Sequence, residues 1–255
     1  MPAPPTDFDR WVFRPCPRPA AALRLLCLPY AGGSVVAYHG WAELLPAAVE
    51  VWALRLPGRE ARVREPLRTD LAGLVRDAAG PLAERLDSPY ALFGHSLGAL
   101  VAFELARELR RRGRPAAQLA VSGRPAPQRP QRYPPIHRLP DAEFLAALDQ
   151  RFQAIPPLLR EDRAVRELYL PILRADTTML ETYAYRPEPP LGCPLAIYGG
   201  RADPEVSPAD LAEWQVQTQA GSAVATFPGG HFYLQEQRAE LLADLGGRLA
   251  GALVP

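Results

Sequence analysis

The chain has almost no net charge, few cysteines and no long apolar run, and each shortage excludes a class of function. A formal net charge of +1, from 29 basic and 28 acidic side chains, leaves no basic field to hold a nucleic-acid backbone. The three cysteines, Cys16, Cys27 and Cys193, are odd in number and contain no C-x-x-C pair, so neither a disulfide framework nor a zinc site is expected. Cys27 and Cys193 border apolar runs and read as core thiols. No segment approaches the roughly 18 apolar residues of a membrane span. The N-terminal stretch MPAPPTDFDRWVFRPCPRP has no basic start followed by an apolar run, so a cytoplasmic chain without a membrane partner is expected.

The remaining composition, 48% hydrophobic and 22% charged over 255 residues, suits one α/β domain with a large core. Strand-length apolar runs alternate with segments of helical period, the pattern of a mostly parallel sheet covered by helices. The strand candidates are LRLLCLP from Leu23, VEVWALRLP from Val49, YALFGH from Tyr90, QLAVSG from Gln118, PLAIYGG from Pro194 and AVATFPGG from Ala223. Their continuous hydrophobicity predicts burial on both faces. Helices are predicted over 37–45, 70–86, 97–112, 208–220 and 235–249. The fourth has Ser207 as N-cap, Pro208 at the first helical position and Asp210 in the first turn. Residues 125–190 break the alternation: they open on the Pro/Arg-rich RPAPQRPQRYPP and continue in helical patterns without a strand. An insertion of that length reads as a helical lid within a single domain spanning 1–255, over the carboxyl edge of the sheet where ligands bind in such folds. The cationic run RELRRRGRP from Arg107 ends a predicted helix, where the helix dipole and solvation account for it.

Gly94-His95-Ser96-Leu97-Gly98 fits G-x-S-x-G and stands where a strand gives way to a helix. That context would put Ser96 on a tight turn with its hydroxyl aimed out of the sheet. A serine hydroxyl needs a base held by a third group. Of the four histidines, His39 lies in an early helix, His95 in the turn itself and His137 in the Pro-rich stretch. His231, in the loop after the last strand, is the one that fits the chain order Ser, acid, His of α/β-hydrolases. For the acid, the loop after PLAIYGG offers Asp203, with Glu205 as a fallback, while Asp176 in the inserted segment is a rival. Two backbone N–H groups should hold the oxyanion: that of Leu97, and that of Ala31 in the PYAGGS loop.

With these residues in place, the sequence resembles the type II thioesterases that accompany polyketide and nonribosomal peptide synthetases. LRLLCLPYAGGS, LRLPGRE, FGHSLGALVAFELAREL, RFQAIPPLL, LPILRADTTMLETY, YGGRADPEVS and FPGGHFYL carry the likeness, in that order, over nearly the whole chain. The resemblance implies an α/β-hydrolase fold and a hydrolase, acting as a monomer without metal or cofactor, that frees acyl groups from the phosphopantetheine thiol of carrier proteins. It also implies Ser96 as nucleophile, His231 as base, Asp203 as its orienter, and Ala31 and Leu97 as oxyanion donors. Another serine esterase or lipase, or a non-catalytic carrier-binding module, are the alternatives that the residues leave open.

Overall fold

A computed structural model describes residues 6–153 and 155–252. Part of the N-terminal stretch read above for a leader, residues 1–5, lies outside them, as do 154 and 253–255 of the predicted domain and lid. The chain opens with α1 (Asp7–Trp11) and a two-residue strand β1 (Val12–Phe13), neither of which the sequence pattern announces. Then follow β2 (Leu23–Leu28), α2 (Trp41–Leu44), β3 (Val49–Leu54), α3 (Leu71–Arg85), β4 (Tyr90–His95), α4 (Leu97–Arg111) and β5 (Gln118–Ser122). The inserted segment supplies α5 (Asp141–Phe152), α6 (Pro157–Glu161) and α7 (Arg163–Glu181). The chain returns through β6 (Leu195–Gly200), α8 (Pro208–Ala212), β7 (Ser222–Phe227), α9 (Tyr233–Glu236) and α10 (Arg238–Gly251).

Seven strands form one sheet in the order β1-β3-β2-β4-β5-β6-β7, parallel except for β1 against β3. Because successive strand residues point to opposite faces, the strands feed two cores. Leu26, Leu28, Leu92, Val121 and Ile197 pack with α3 and α4 on one face. Leu25, Cys27, Phe93, Ala120 and Tyr198 pack with α2 and α10 on the other. The inserted helices hold a third, smaller cluster around Phe144, Leu148 and Leu170.

Several predicted elements need correction. The helix over 37–45 is a 3-10 turn, Val35–Tyr38, and then α2, separated by Gly40 at φ 75°. In that left-handed conformation glycine interrupts the helix. The helix over 208–220 stops at Ala212 and continues as a 3-10 turn, Glu213–Gln217. That over 235–249 is broken into α9 and α10 at Gln237. β7 is an edge strand, and Val224 is 43% exposed, so two-sided burial fails there. The cationic run after Arg107 is not merely solvated. Buried Arg107, with Arg110 and Arg111, binds Glu188, tying the return from the inserted segment to α4. Cys27 and Cys193 are buried free thiols.

The turn between β4 and α4 depends on its two glycines. A Cβ on Gly94 would lie 2.0 Å from the Gly98 carbonyl oxygen, and one on Gly98 2.0 Å from that of Leu28. Both obstacles are backbone and cannot swing away. Gly98→Ala is therefore expected to destabilise by at least about 3 kcal/mol, the upper end of ordinary overpacking costs. A chemical-denaturation midpoint equal to that of the parent protein would refute this.

Candidate active site

Five loops meet at the carboxyl ends of adjacent strands, the edge where open parallel sheets bind ligands. They follow β2, β4, β5, β6 and β7 and carry Ala31, Ser96, Arg124, Asp203 and His231 in turn. Ser96 has φ 54° and ψ −114°, a conformation that a non-glycine residue adopts only when its surroundings impose it. The imposition is visible: its N–H donates to the Ser122 carbonyl at 2.8 Å, and the flanking glycines let α4 press against β2.

His231 is buried and its Nδ1 lies 2.8 Å from Asp203 Oδ2, whose side chain is wholly buried. The Asp203 carboxylate also accepts the Glu205 N–H at Oδ1, 2.9 Å. With Nδ1 bound to a carboxylate, that nitrogen carries the proton and Nε2 presents a lone pair. His231 Nε2 is buried with no hydrogen-bond partner among the described residues. Ser96 and His231 line the same cavity of about 1270 Å³, under the inserted helices. No Ser96–His231 hydrogen bond is present, and contacts of this kind commonly tighten only around substrate.

The two proposed oxyanion donors can be followed in the same way. Leu97 is the first residue of α4, so its N–H has no intrahelical acceptor. In the loop after β2, the Gly33 N–H closes a turn on the Tyr30 carbonyl at 2.8 Å. The Gly32 N–H is bound by Asp176 Oδ2 at 2.7 Å. Ala31 N–H has no acceptor among the described residues. Both N–H groups therefore lack an acceptor among the described residues, and Ala31 lines the same cavity as Ser96.

Asp176 does not meet His231. It is completely buried and pairs bidentately with Arg59, Nη1 to Oδ2 at 2.8 Å and Nη2 to Oδ1 at 2.7 Å. Arg59 also donates to the Gly33 carbonyl at 3.0 Å. This pair joins α7, the loop after β3 and the PYAGGS loop. Glu205 lies beside Asp203 without touching the imidazole, and burial raises its carboxyl pKa. His39 caps the 3-10 turn and stacks near Phe13, while His137 Nδ1 is 2.7 Å from Glu181.

The sequence reading missed the part played by His95. Its Nδ1 is 2.9 Å from Ser122 Oγ, which lies 2.7 Å from the Tyr233 hydroxyl. Its ring stands 4.9 Å from that of His231. Complete burial, then the neighbouring His231, holds its pKa well below the ordinary 6.5. The unfolded chain therefore takes up a proton near pH 6.5 that the folded chain refuses. His95 costs nothing above that pH, and stability falls by up to about 1.4 kcal/mol per pH unit as the pH drops below it. His95→Gln should flatten the stability profile between pH 6.5 and 5. An unaltered slope would show that another group controls this limb.

Residues 23–249 match the model of the thioesterase domain family. Linear gramicidin dehydrogenase LgrE of Brevibacillus parabrevis is 40% identical over 96% of this chain and 95% of its own. Thioesterase PikA5 of Streptomyces venezuelae is 39% identical over 95% of this chain and 86% of its own. Among solved structures, the type II thioesterase BorB from the borrelidin biosynthetic cluster superposes with a TM-score of 0.84. It is 38% identical, covering 96% of this chain and 98% of that one.

Proposed function

The chain belongs to the thioesterase domain family, and on that premise we propose that Ser96, His231 and Asp203 hydrolyse acyl groups from the phosphopantetheine arm of carrier proteins. Its fold is that of the α/β-hydrolases. The observation carrying the site assignment is the buried His231–Asp203 contact of 2.8 Å, with the unpartnered Nε2 in the same cavity as the strained serine.

Ser96 Oγ attacks the thioester carbonyl as His231 Nε2 takes its proton, and Asp203 keeps the other imidazole proton on Nδ1. The oxygen gains a negative charge that the Ala31 and Leu97 N–H groups, free of other acceptors among the described residues, would receive. Collapse expels the pantetheine sulfur, which receives the proton from His231, and leaves an ester on Ser96. Water attacks that ester by the same proton route and frees the acid. The thioester is activated already, so these residues suffice.

Within the one domain, residues 125–190 act as a lid that bounds the acyl chamber. Among the described residues no helix is long and apolar enough to cross a membrane. We take the protein to work as a monomer in the cytoplasm beside its synthetase. The name of LgrE includes a redox activity, but the loop after β2 here is P-Y-A-G-G-S rather than the G-x-G-x-x-G of a dinucleotide site.

The test is release of acid from acyl-carrier protein alongside hydrolysis of a simple ester of the same acid. Rapid ester turnover without release from the carrier would replace this reading with an esterase. Release that survives loss of Ser96 at the parent rate would rule out serine catalysis, and carrier binding without any release would replace the reading with a binding module.

A further inference from the structure

Resting on the thioesterase reading, the cavity holds two charged groups that the reaction above leaves unused. Arg124 leaves the sheet two residues after Ser122, the strand neighbour of His95. Its backbone is fixed on both sides. Gly123 before it has φ +58°, with the His95 ring 2.3 Å from where a Cβ would be, and Trp214 Nε1 donates to the Arg124 carbonyl at 2.8 Å. Arg124 lines the cavity together with Ser96 and His231. Glu205, two residues beyond Asp203, lines it as well.

Other charges on the cavity wall are matched. Arg129 is held by Asp210 and Glu213, and Arg151 by Glu181, while Arg132 and Glu236 are exposed at the rim. Arg124 and Glu205 are only partly accessible, yet among the described residues neither side chain has a hydrogen-bond or ion-pair partner. Burial pushes the Arg124 guanidinium down to about 10, so it remains charged at neutral pH. Glu205 is near enough to offset part of that shift, yet the half-buried guanidinium keeps its donors free for an acceptor that a bound chain supplies.

We propose that Arg124 selects the acyl group, receiving a keto or hydroxyl oxygen beyond the thioester carbonyl, so that the chamber prefers oxygenated chains to plain hydrocarbon ones. A saturated chain would cover Arg124 without offering an acceptor. A chain ending in a carboxylate would satisfy Arg124 but meet Glu205, so the neutral oxygenated chain suits the pair. Glu205 is placed to accept from a hydroxyl on the same chain.

Three N-acetylcysteamine thioesters of equal length test this: hexanoyl, 3-oxohexanoyl and 5-oxohexanoyl. Because a keto group alters intrinsic reactivity, the quantity read is the oxo-to-hexanoyl ratio of kcat/KM in the parent protein divided by that in Arg124→Met. For at least one oxo substrate it should be 10-fold or more, the loss falling more heavily on the oxo substrate than on hexanoyl. Arg124→Lys, which keeps the charge but not the fork, should recover part of the preference. Equal losses on all three substrates, as a merely structural arginine would give, overturn the proposal, as does a quotient near one. A parent protein that cleaves none of the three and releases no acid from acyl-carrier protein refutes the thioesterase reading itself, and this proposal with it.

Discussion

Ser96→Ala is expected to lower acid release from acyl-carrier protein by at least about 10⁴-fold and to abolish the acyl-enzyme seen by intact mass after rapid quenching. The effect is this large because the hydroxyl is the group that would form the covalent bond. The oxyanion donors and cavity are unaffected, so a residue of rate above the uncatalysed reaction should persist. Folding should not suffer. Ser96 carries its strained φ of 54° under the force of its neighbours, and alanine keeps that backbone without losing a side-chain hydrogen bond. Activity within 10-fold of the parent, in a folded variant, would eliminate serine catalysis.

Two aspartates should separate just as sharply. Asp203→Asn is expected to cut kcat on the order of 10⁴-fold with little change in KM, because the amide can stabilise the wrong imidazole tautomer and cannot balance an imidazolium. Asp176→Ala should do the opposite. Its carboxylate is matched to Arg59 and the Gly32 N–H, and removal leaves a buried guanidinium unpaired, a loss of about 3–5 kcal/mol in stability. While it remains folded, that variant should retain most of its kcat, since Ser96, His231 and Asp203 are all in place. An Asp176→Ala protein of parental stability but negligible activity, alongside an active Asp203→Asn, would reverse the assignment. Thermal midpoints and kcat measured on the same preparations decide it.

The contrast between these residues shows what a linear reading can reach. Ser96 was legible because its chemistry and its backbone requirement coincide in five consecutive residues, with glycines where a Cβ would strike backbone at 2.0 Å. Asp203 and His231 were legible because each directly follows an apolar strand, and parallel strands deliver their carboxyl ends to one edge. The strands themselves stood out as apolar runs, apart from β1, too short to carry a pattern; at β7 only the expected two-sided burial fails, because it is half-exposed at the sheet edge.

What the chain alone determined, then, is the order of most strands and helices, the turn that strains Ser96 and the loops that bear its proposed partners, since local sterics and hydrophobic period set all three. Tertiary structure alone decided that Asp176 serves Arg59 rather than His231, that His95 is held by Ser122, itself bound to Tyr233, and that Arg124 stands in the cavity without a hydrogen-bond or ion-pair partner among the described residues. Those contacts join residues far apart in sequence: Arg59 and Asp176 are separated by 117 positions. Whether a buried charge finds its partner depends on how the inserted helices seat on the sheet, and that depends on the packing of the whole chain rather than on any local pattern.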